Sequence, residues 1–248
     1  MKEYTILLSG LSGTGSTSFW YAFGFHPEIK RSITKETLTR ILMNKKFSQE
    51  LSDIYIRKYF EPFEQTKILL DGSADSISNS DYISFLKTIK GIKRLCCVFR
   101  LRDPEKRLFS FLVSITRTFF NGFNKWRPPF IDENGELNYK ELEYFIRYVL
   151  RIDKQLKTTS EILGINNIFV IKLEKLFENQ KNILKFLEID PEIKIPDIKL
   201  DTKTKIYYNE KHFKLLEEIK TWYYSNHTIF LEEVEKSNKE ICNNFQVF

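Results

Sequence analysis

Ile6-Leu7-Leu8-Ser9-Gly10-Leu11-Ser12-Gly13-Thr14-Gly15-Ser16-Thr17 sets a short apolar run directly against a glycine-rich turn. Glycines let the backbone fold back tightly with its N–H groups turned inward, and the start of a following helix adds positive potential. A strand, this loop and a helix therefore make an anion cradle. The expected ligand is a phosphate group.

The spacing Gly10-x4-Gly15 followed by Ser16-Thr17 is that of a nucleotide P-loop, except that Ser16 stands where the phosphate-binding lysine belongs. Serine cannot neutralise β- and γ-phosphate charge, so ordinary ATP or GTP hydrolysis is disfavoured. A second segment adds to this. Leu95-Cys96-Cys97-Val98-Phe99 is a β-prone run, and Arg100-Leu101-Arg102-Asp103-Pro104-Glu105-Lys106-Arg107-Leu108-Phe109-Ser110 follows it at once. Pro104 suits the first turn of a helix with Asp103 as N-cap. That puts Arg102 at the carboxyl end of a strand and Ser110 about two helical turns further on, so both are expected to reach one anion.

Together these segments resemble the sulfotransferase superfamily that uses 3′-phosphoadenosine 5′-phosphosulfate (PAPS), most closely its heparan-sulfate and related carbohydrate branch. The family's 3′-phosphate element, Arg-Asp-Pro-x-x-Arg-x-x-Ser, matches Arg102 to Ser110 without a gap, and its 5′-phosphosulfate loop matches Gly10 to Thr17, followed at family spacing by His26-Pro27-Glu28. Collinear with these, Lys67 to Ser73, Val170 to Leu176, the helix ending in Phe186-Leu187-Glu188-Ile189 and the stretch Leu216 to Leu231 resemble a central strand, a late strand and turn, the "Phe-Leu-Gly" helix and the closing helix.

The resemblance implies a set of site residues. Backbone N–H groups of the Gly13, Thr14, Gly15, Ser16 and Thr17 loop, with the Ser16 and Thr17 hydroxyls, would hold the 5′-phosphosulfate, and Arg102 and Ser110 the 3′-phosphate. Glu36, in Lys35-Glu36 shortly after His-Pro-Glu, is the implied general base, ahead of His26, which belongs to the His-Pro turn. Lys203 and Lys205, in Thr202-Lys203-Thr204-Lys205, resemble a basic stretch that covers the nucleotide. PAPS is the implied donor and its desulfated product, PAP, the second ligand; no metal is demanded. The implied acceptor is a small molecule or glycan bearing a hydroxyl or amine.

Gly13 departs from the pattern. Most of the family carries there a lysine that stabilises the bridging and sulfuryl oxygens, and losing one preorganised donor of this kind costs on the order of 10²–10³ in rate. Lys35, Arg31, Lys203 and Lys205 are candidates for a substitute cation. Two other classes stay open: a degenerate nucleotide kinase related to adenylylsulfate kinases, and a non-catalytic PAP-binding relative.

Composition agrees with one compact domain over residues 1–248, since 42% of the residues are apolar and no Gly/Ser/Pro-rich linker or repeat interrupts them. Apolar strands at Tyr4–Ser9, Lys67–Asp71, Arg94–Phe99 and Asn167–Ile171 alternate with longer amphipathic stretches, which predicts a three-layer α/β P-loop-like fold, a central parallel sheet flanked by helices. The glycine loop then lies at the carboxyl edge, where such sheets bind ligands. Asn121 to Gly135 reads as a long loop suited to substrate contacts. The net charge of +6 suits anionic ligands, yet no nucleic-acid motif accompanies it. Tyr4–Leu8 is too short for a signal peptide core, and no apolar run approaches a membrane span. Cys96, Cys97 and Cys242 have no metal-ligand spacing and read as reduced core residues of a cytoplasmic protein.

Overall fold

The structure, a computed structural model, describes residues 2–35, 37–38, 41, 47–74, 76–120, 127–198 and 210–248. The chain divides into two compact units, one of Met1–Arg102, Leu156–Leu200 and Gln246–Phe248, the other of Asp103–Gln155 and Asp201–Phe245.

The first unit is built on five parallel strands, β1 (Tyr4–Leu8), β2 (Ile29–Arg31), β3 (Ile68–Asp71), β4 (Ile92–Leu101) and β5 (Ile168–Lys172), in the order β2-β3-β1-β4-β5. This is the α/β architecture expected from the alternation of strand and helix patterns. From the adjacent strands β1 and β4 the chain runs on in opposite directions, to β2 and to β5, so the sheet has its topological switch between the carboxyl ends of β1 and β4. β2 was not legible in the sequence: three residues after a His-Pro turn are too few to show periodicity, and they form a strand because β3 offers a free edge, with Ile29 opposite Ile68.

Every residue of β1 and β3 is buried, as both faces of a parallel sheet should be. Leu7 lies in register with Leu70 and Cys96, and these three share a core with Val98, Ile171 and the Phe19, Trp20 and Phe23 face of α1 (Ser16–Phe23). Ile6, Leu8, Leu69, Cys97 and Phe99 point to the opposite face and are also buried. Each such side chain contributes roughly 1.5–3 kcal/mol relative to exposure. Helices α2 (Gln49–Tyr59) and α3 (Ser80–Thr88) begin on the side-chain caps Ser48 and Asn79, which take the orphan N–H groups of Leu51 and Tyr82. Most of α6 (Ile152–Leu163) and α7 (Gln180–Phe186) complete the unit.

In the second unit, α4 (Pro104–Phe120), α5 (Tyr139–Leu150), α8 (Glu210–Ser225) and α9 (His227–Asn244) surround a core that includes Leu108, Leu112, Leu142, Ile146, Leu216, Ile219 and Phe230. Asp103 caps α4 as expected, its carboxylate accepting from the Lys106 N–H at 2.8 Å. The described part of the expected long loop, from Arg127 on, carries no helix or named strand and is tied together by an isolated bridge between Ile131 and Leu137 and by the Asp132 carboxylate, which accepts from the N–H groups of Asn134 and Glu136. The expected single closing helix over Leu216–Leu231 is two helices, broken at Asn226. Cys96 and Cys97 are buried on opposite faces of β4, whereas Cys242 is exposed and is not a core residue.

Candidate functional site

Between β1 and α1 the loop turns on three left-handed glycines, Gly10 at φ 81°, Gly13 at 75° and Gly15 at 72°. A side chain at any of them would sit in a strained backbone region. Gly15 is also the N-cap of α1 and brings no side chain to cap it. The first-turn N–H groups of Ser16 and Thr17, at the positive end of the helix, therefore receive no cap from Gly15 and suit a ligand or water as acceptor. Thr14 turns its hydroxyl into the loop, donating to the Leu11 carbonyl at 2.6 Å. Ser16 is buried and Thr17 half-buried.

Two arginines from the end of β4 hold this loop. Arg102 Nη1 donates to the Gly13 carbonyl at 2.8 Å, so the structure brings Arg102 to the glycine loop, a contact that the sequence reading did not include. Arg100 Nε donates to the Thr14 carbonyl at 3.0 Å, and its Nη2 to the Ser9 carbonyl. Its guanidinium lies 4.3 Å from the ring centroid of Phe19. Arg100 is 1% exposed, and burial pulls its pKa down to about 10. Sequence reasoning missed Arg100. The available signal was strand alternation: Cys96, Val98 and Arg100 share one face of β4, so a charged side chain was due to point into the core beside α1.

Neighbouring segments reach the same carboxyl edge. Ser9 Oγ donates to the Gly72 carbonyl at 3.3 Å, and Leu38 N–H to Ser73 Oγ at 2.8 Å. A Cβ at Gly72 would lie 2.8 Å from the Lys35 carbonyl oxygen, so the Lys35 backbone passes directly over Gly72. Asp71, at the end of β3, accepts from the Ser73 N–H and hydroxyl and from the Tyr82 hydroxyl, which also pairs with the Tyr55 hydroxyl at 2.7 Å. Burial first, and then the Asp71 charge, hold both phenols well above the usual tyrosine range. On the β5 side, Leu173 lies 3.1 Å from where a Gly15 Cβ would project.

His26 is committed to structure. Its Nδ1 accepts from the Glu28 N–H at 3.2 Å, which leaves Nε2–H to donate to the Asp190 carbonyl at 3.1 Å. Arg31 stacks over Trp20 and Tyr21. Ser110 is half-buried on α4 in the second unit. Glu36, Lys203 and Lys205 lie outside the described residues.

First-turn helix N–H groups on a loop of three left-handed glycines, with two arginines bonded to the loop's carbonyls, form an arrangement whose chemistry suits a phosphate- or sulfate-type anion. Among the described residues no three His, Cys, Asp or Glu side chains gather into a metal-holding group, and no helix is long and apolar enough to cross a membrane.

No protein-family model matches the chain, and no curated protein does. Solved structures do. A sulfotransferase from Alicyclobacillus acidocaldarius superposes at TM-score 0.56 with 12% identity, covering 95% of this chain and 96% of that one. The sulfotransferase domain of the Synechococcus PCC 7002 olefin synthase gives 0.45 with 14% identity over 88% and 95%, and that of the curacin biosynthetic pathway 0.46 with 9% over 89% and 98%. The first of these likenesses carries the architecture, and this chain has the fold of a sulfotransferase.

Proposed function

We propose that the protein is a PAPS-dependent sulfotransferase that moves a sulfuryl group onto a hydroxyl or amine, with a carbohydrate as the favoured acceptor. The observation that carries this reading is the loop itself: Gly13 and Gly15 in left-handed conformation, an uncapped α1 behind them, and Arg102 fastened to the Gly13 carbonyl at 2.8 Å. The fold supports it, as does the gapless Arg102-to-Ser110 motif.

In this reading the N–H groups of Thr14 to Thr17 and the Ser16 and Thr17 hydroxyls orient the 5′-phosphosulfate, while Arg102 and Ser110 bind the 3′-phosphate. Glu36 accepts the proton of the acceptor hydroxyl or amine as the acceptor atom bonds to sulfur. The bond between sulfur and the bridging phosphate oxygen breaks, and its electron pair leaves with PAP. Positioning and electrostatics dominate such a transfer, as in phosphoryl transfer. Lys203 and Lys205 would close over the nucleotide. The free, buried thiols of Cys96 and Cys97, on opposite faces of β4, support a cytoplasmic setting.

Calorimetry with PAP, followed by transfer of radiolabelled sulfate from PAPS onto a panel of glycans and small hydroxyl or amine acceptors, tests the proposal. Binding with transfer is expected. Binding without transfer to any acceptor would favour a non-catalytic PAP-binding protein, and ATP-dependent phosphorylation of adenylylsulfate a kinase.

A further inference from the structure

Arg100 is a cation buried beneath the glycine loop, and among the described residues no carboxylate forms a salt bridge with it. Its counterparts are the carbonyls of Ser9, Thr14 and Val98 and the face of Phe19. Burying a charge without an opposite charge is costly, and hydrogen bonds to neutral carbonyls offset only part of that cost. The remainder is relieved when an anion arrives nearby.

The peptide geometry shows where that anion belongs. In a trans peptide the C=O and N–H point in opposite directions. With the Ser9 and Thr14 carbonyls turned to Arg100, the N–H groups of Gly10 and Gly15 point away from the guanidinium. Arg102 does the same to the Gly13 carbonyl and thereby to the Thr14 N–H. The two arginines set three peptide dipoles with their positive ends toward the ligand side of the loop. Gly10 leaves little room for anything else, since a Cβ there would lie 3.3 Å from Arg100 Nη2 and 3.4 Å from the Val98 carbonyl oxygen.

We propose that Arg100 is the fixed cation of the donor site, a positioning residue that orients the loop N–H groups and supplies from below the positive charge that position 13 lacks. Its task as the substitute for a loop lysine rests on the sulfotransferase reading; its task at an anion site does not. Arg31 is stacked on aromatic rings, whereas Arg100 is bonded to carbonyls on both limbs of the loop.

The test uses inorganic pyrophosphate as probe, so that it does not depend on the nucleotide. Calorimetry on the full chain compares wild type with Arg100→Gln and Arg100→Lys, each first checked for a wild-type circular dichroism spectrum. One pyrophosphate is expected per wild-type chain, with affinity falling about 10- to 100-fold in Arg100→Gln. Arg100→Lys keeps the charge without the fork, so it should retain affinity within about tenfold and keep a wild-type slope of log affinity against log salt, whereas Arg100→Gln lowers that slope. A loop-bracing role without charge would weaken both variants alike and leave the slope unchanged. Wild-type affinity in a folded Arg100→Gln protein, or no pyrophosphate binding by wild type, overturns the proposal. If Arg100→Gln does not fold, Arg100→Lys decides alone: abolished binding overturns the charge role. Pyrophosphate binding without PAP binding would defeat the PAPS reading and leave the Arg100 site standing.

Discussion

Putting lysine at position 13 restores the residue that the resemblance says is missing, and the structure gives a definite expectation for it. Gly13 sits at φ 75°, where any side chain costs about 1–2 kcal/mol. For a chain of this size that strain lowers the melting temperature by about 2–8 °C, at about 2–4 °C per kcal/mol. Gly13→Ala carries the same strain and no charge, so the ratio of Gly13→Lys to Gly13→Ala isolates the ammonium. If the loop truly lacked a cation, that ratio would approach 10²–10³ in sulfate transfer, the worth of one preorganised donor. Because Arg100 already places a cation under the same loop, the expected ratio is below about tenfold, with both variants slower than wild type. Melting curves without ligand and radiolabelled sulfate transfer at saturating PAPS supply the two readouts. A hundredfold advantage of lysine over alanine would refute the compensation by Arg100, and wild-type melting of both variants would refute the strain at Gly13.

Arg102→Ala should weaken PAP binding by about 1.5–3 kcal/mol through loss of a charge-assisted contact; wild-type affinity by calorimetry would remove the main support for the 3′-phosphate assignment. Glu36→Gln should keep PAP binding and lower turnover by roughly 10²–10⁴, and unchanged turnover with a proven acceptor would place the base elsewhere. Burial pushes the Cys96 and Cys97 thiols up to about 12, so a thiol-exchange reagent at neutral pH should titrate only Cys242 in the native protein and all three thiols after denaturation; rapid reaction of a second native thiol would contradict the packing of β4. Burial raises the Asp153 pKa, but the Arg151 fork and the Ser237 hydroxyl outweigh it and leave the carboxyl below its ordinary 3.8. A depressed carboxyl contributes stability above that ordinary value and loses it as pH falls through the lower folded value. The stability difference between wild type and Asp153→Asn should therefore shrink below about pH 4, and a difference that stayed constant down to pH 2 would show that the pair contributes nothing.

The sequence by itself determined the sheet and the edge that carries the glycine loop. Four of five strands, the helix after the loop and the Asp103 cap follow from local patterns of burial, glycine and capping chemistry, which neighbouring residues enforce without distant partners. That Arg102 and the glycine loop share one edge was legible too, because both lie at strand ends that a parallel sheet brings together, but the hydrogen bond between Arg102 and the Gly13 carbonyl was not. Other features depended on partners remote in the chain. β2 exists only because β3 offers it an edge. The helix ending at Phe186 was recognisable, but Glu188 adopts φ 59° where the resembling helices carry glycine, and there it also meets Arg94 from β4 at 3.3 Å. Arg100 is the clearest case. Next to Arg102 in a run of basic residues it looks like one more surface charge. Only the register of β4 beyond the end of β1, with α1 laying Phe19 across it, turns its side chain inward, where two loop carbonyls more than eighty residues away in sequence become its partners. A local pattern gives the face a side chain takes, and long-range packing decides whether that face meets water or the underside of a binding loop.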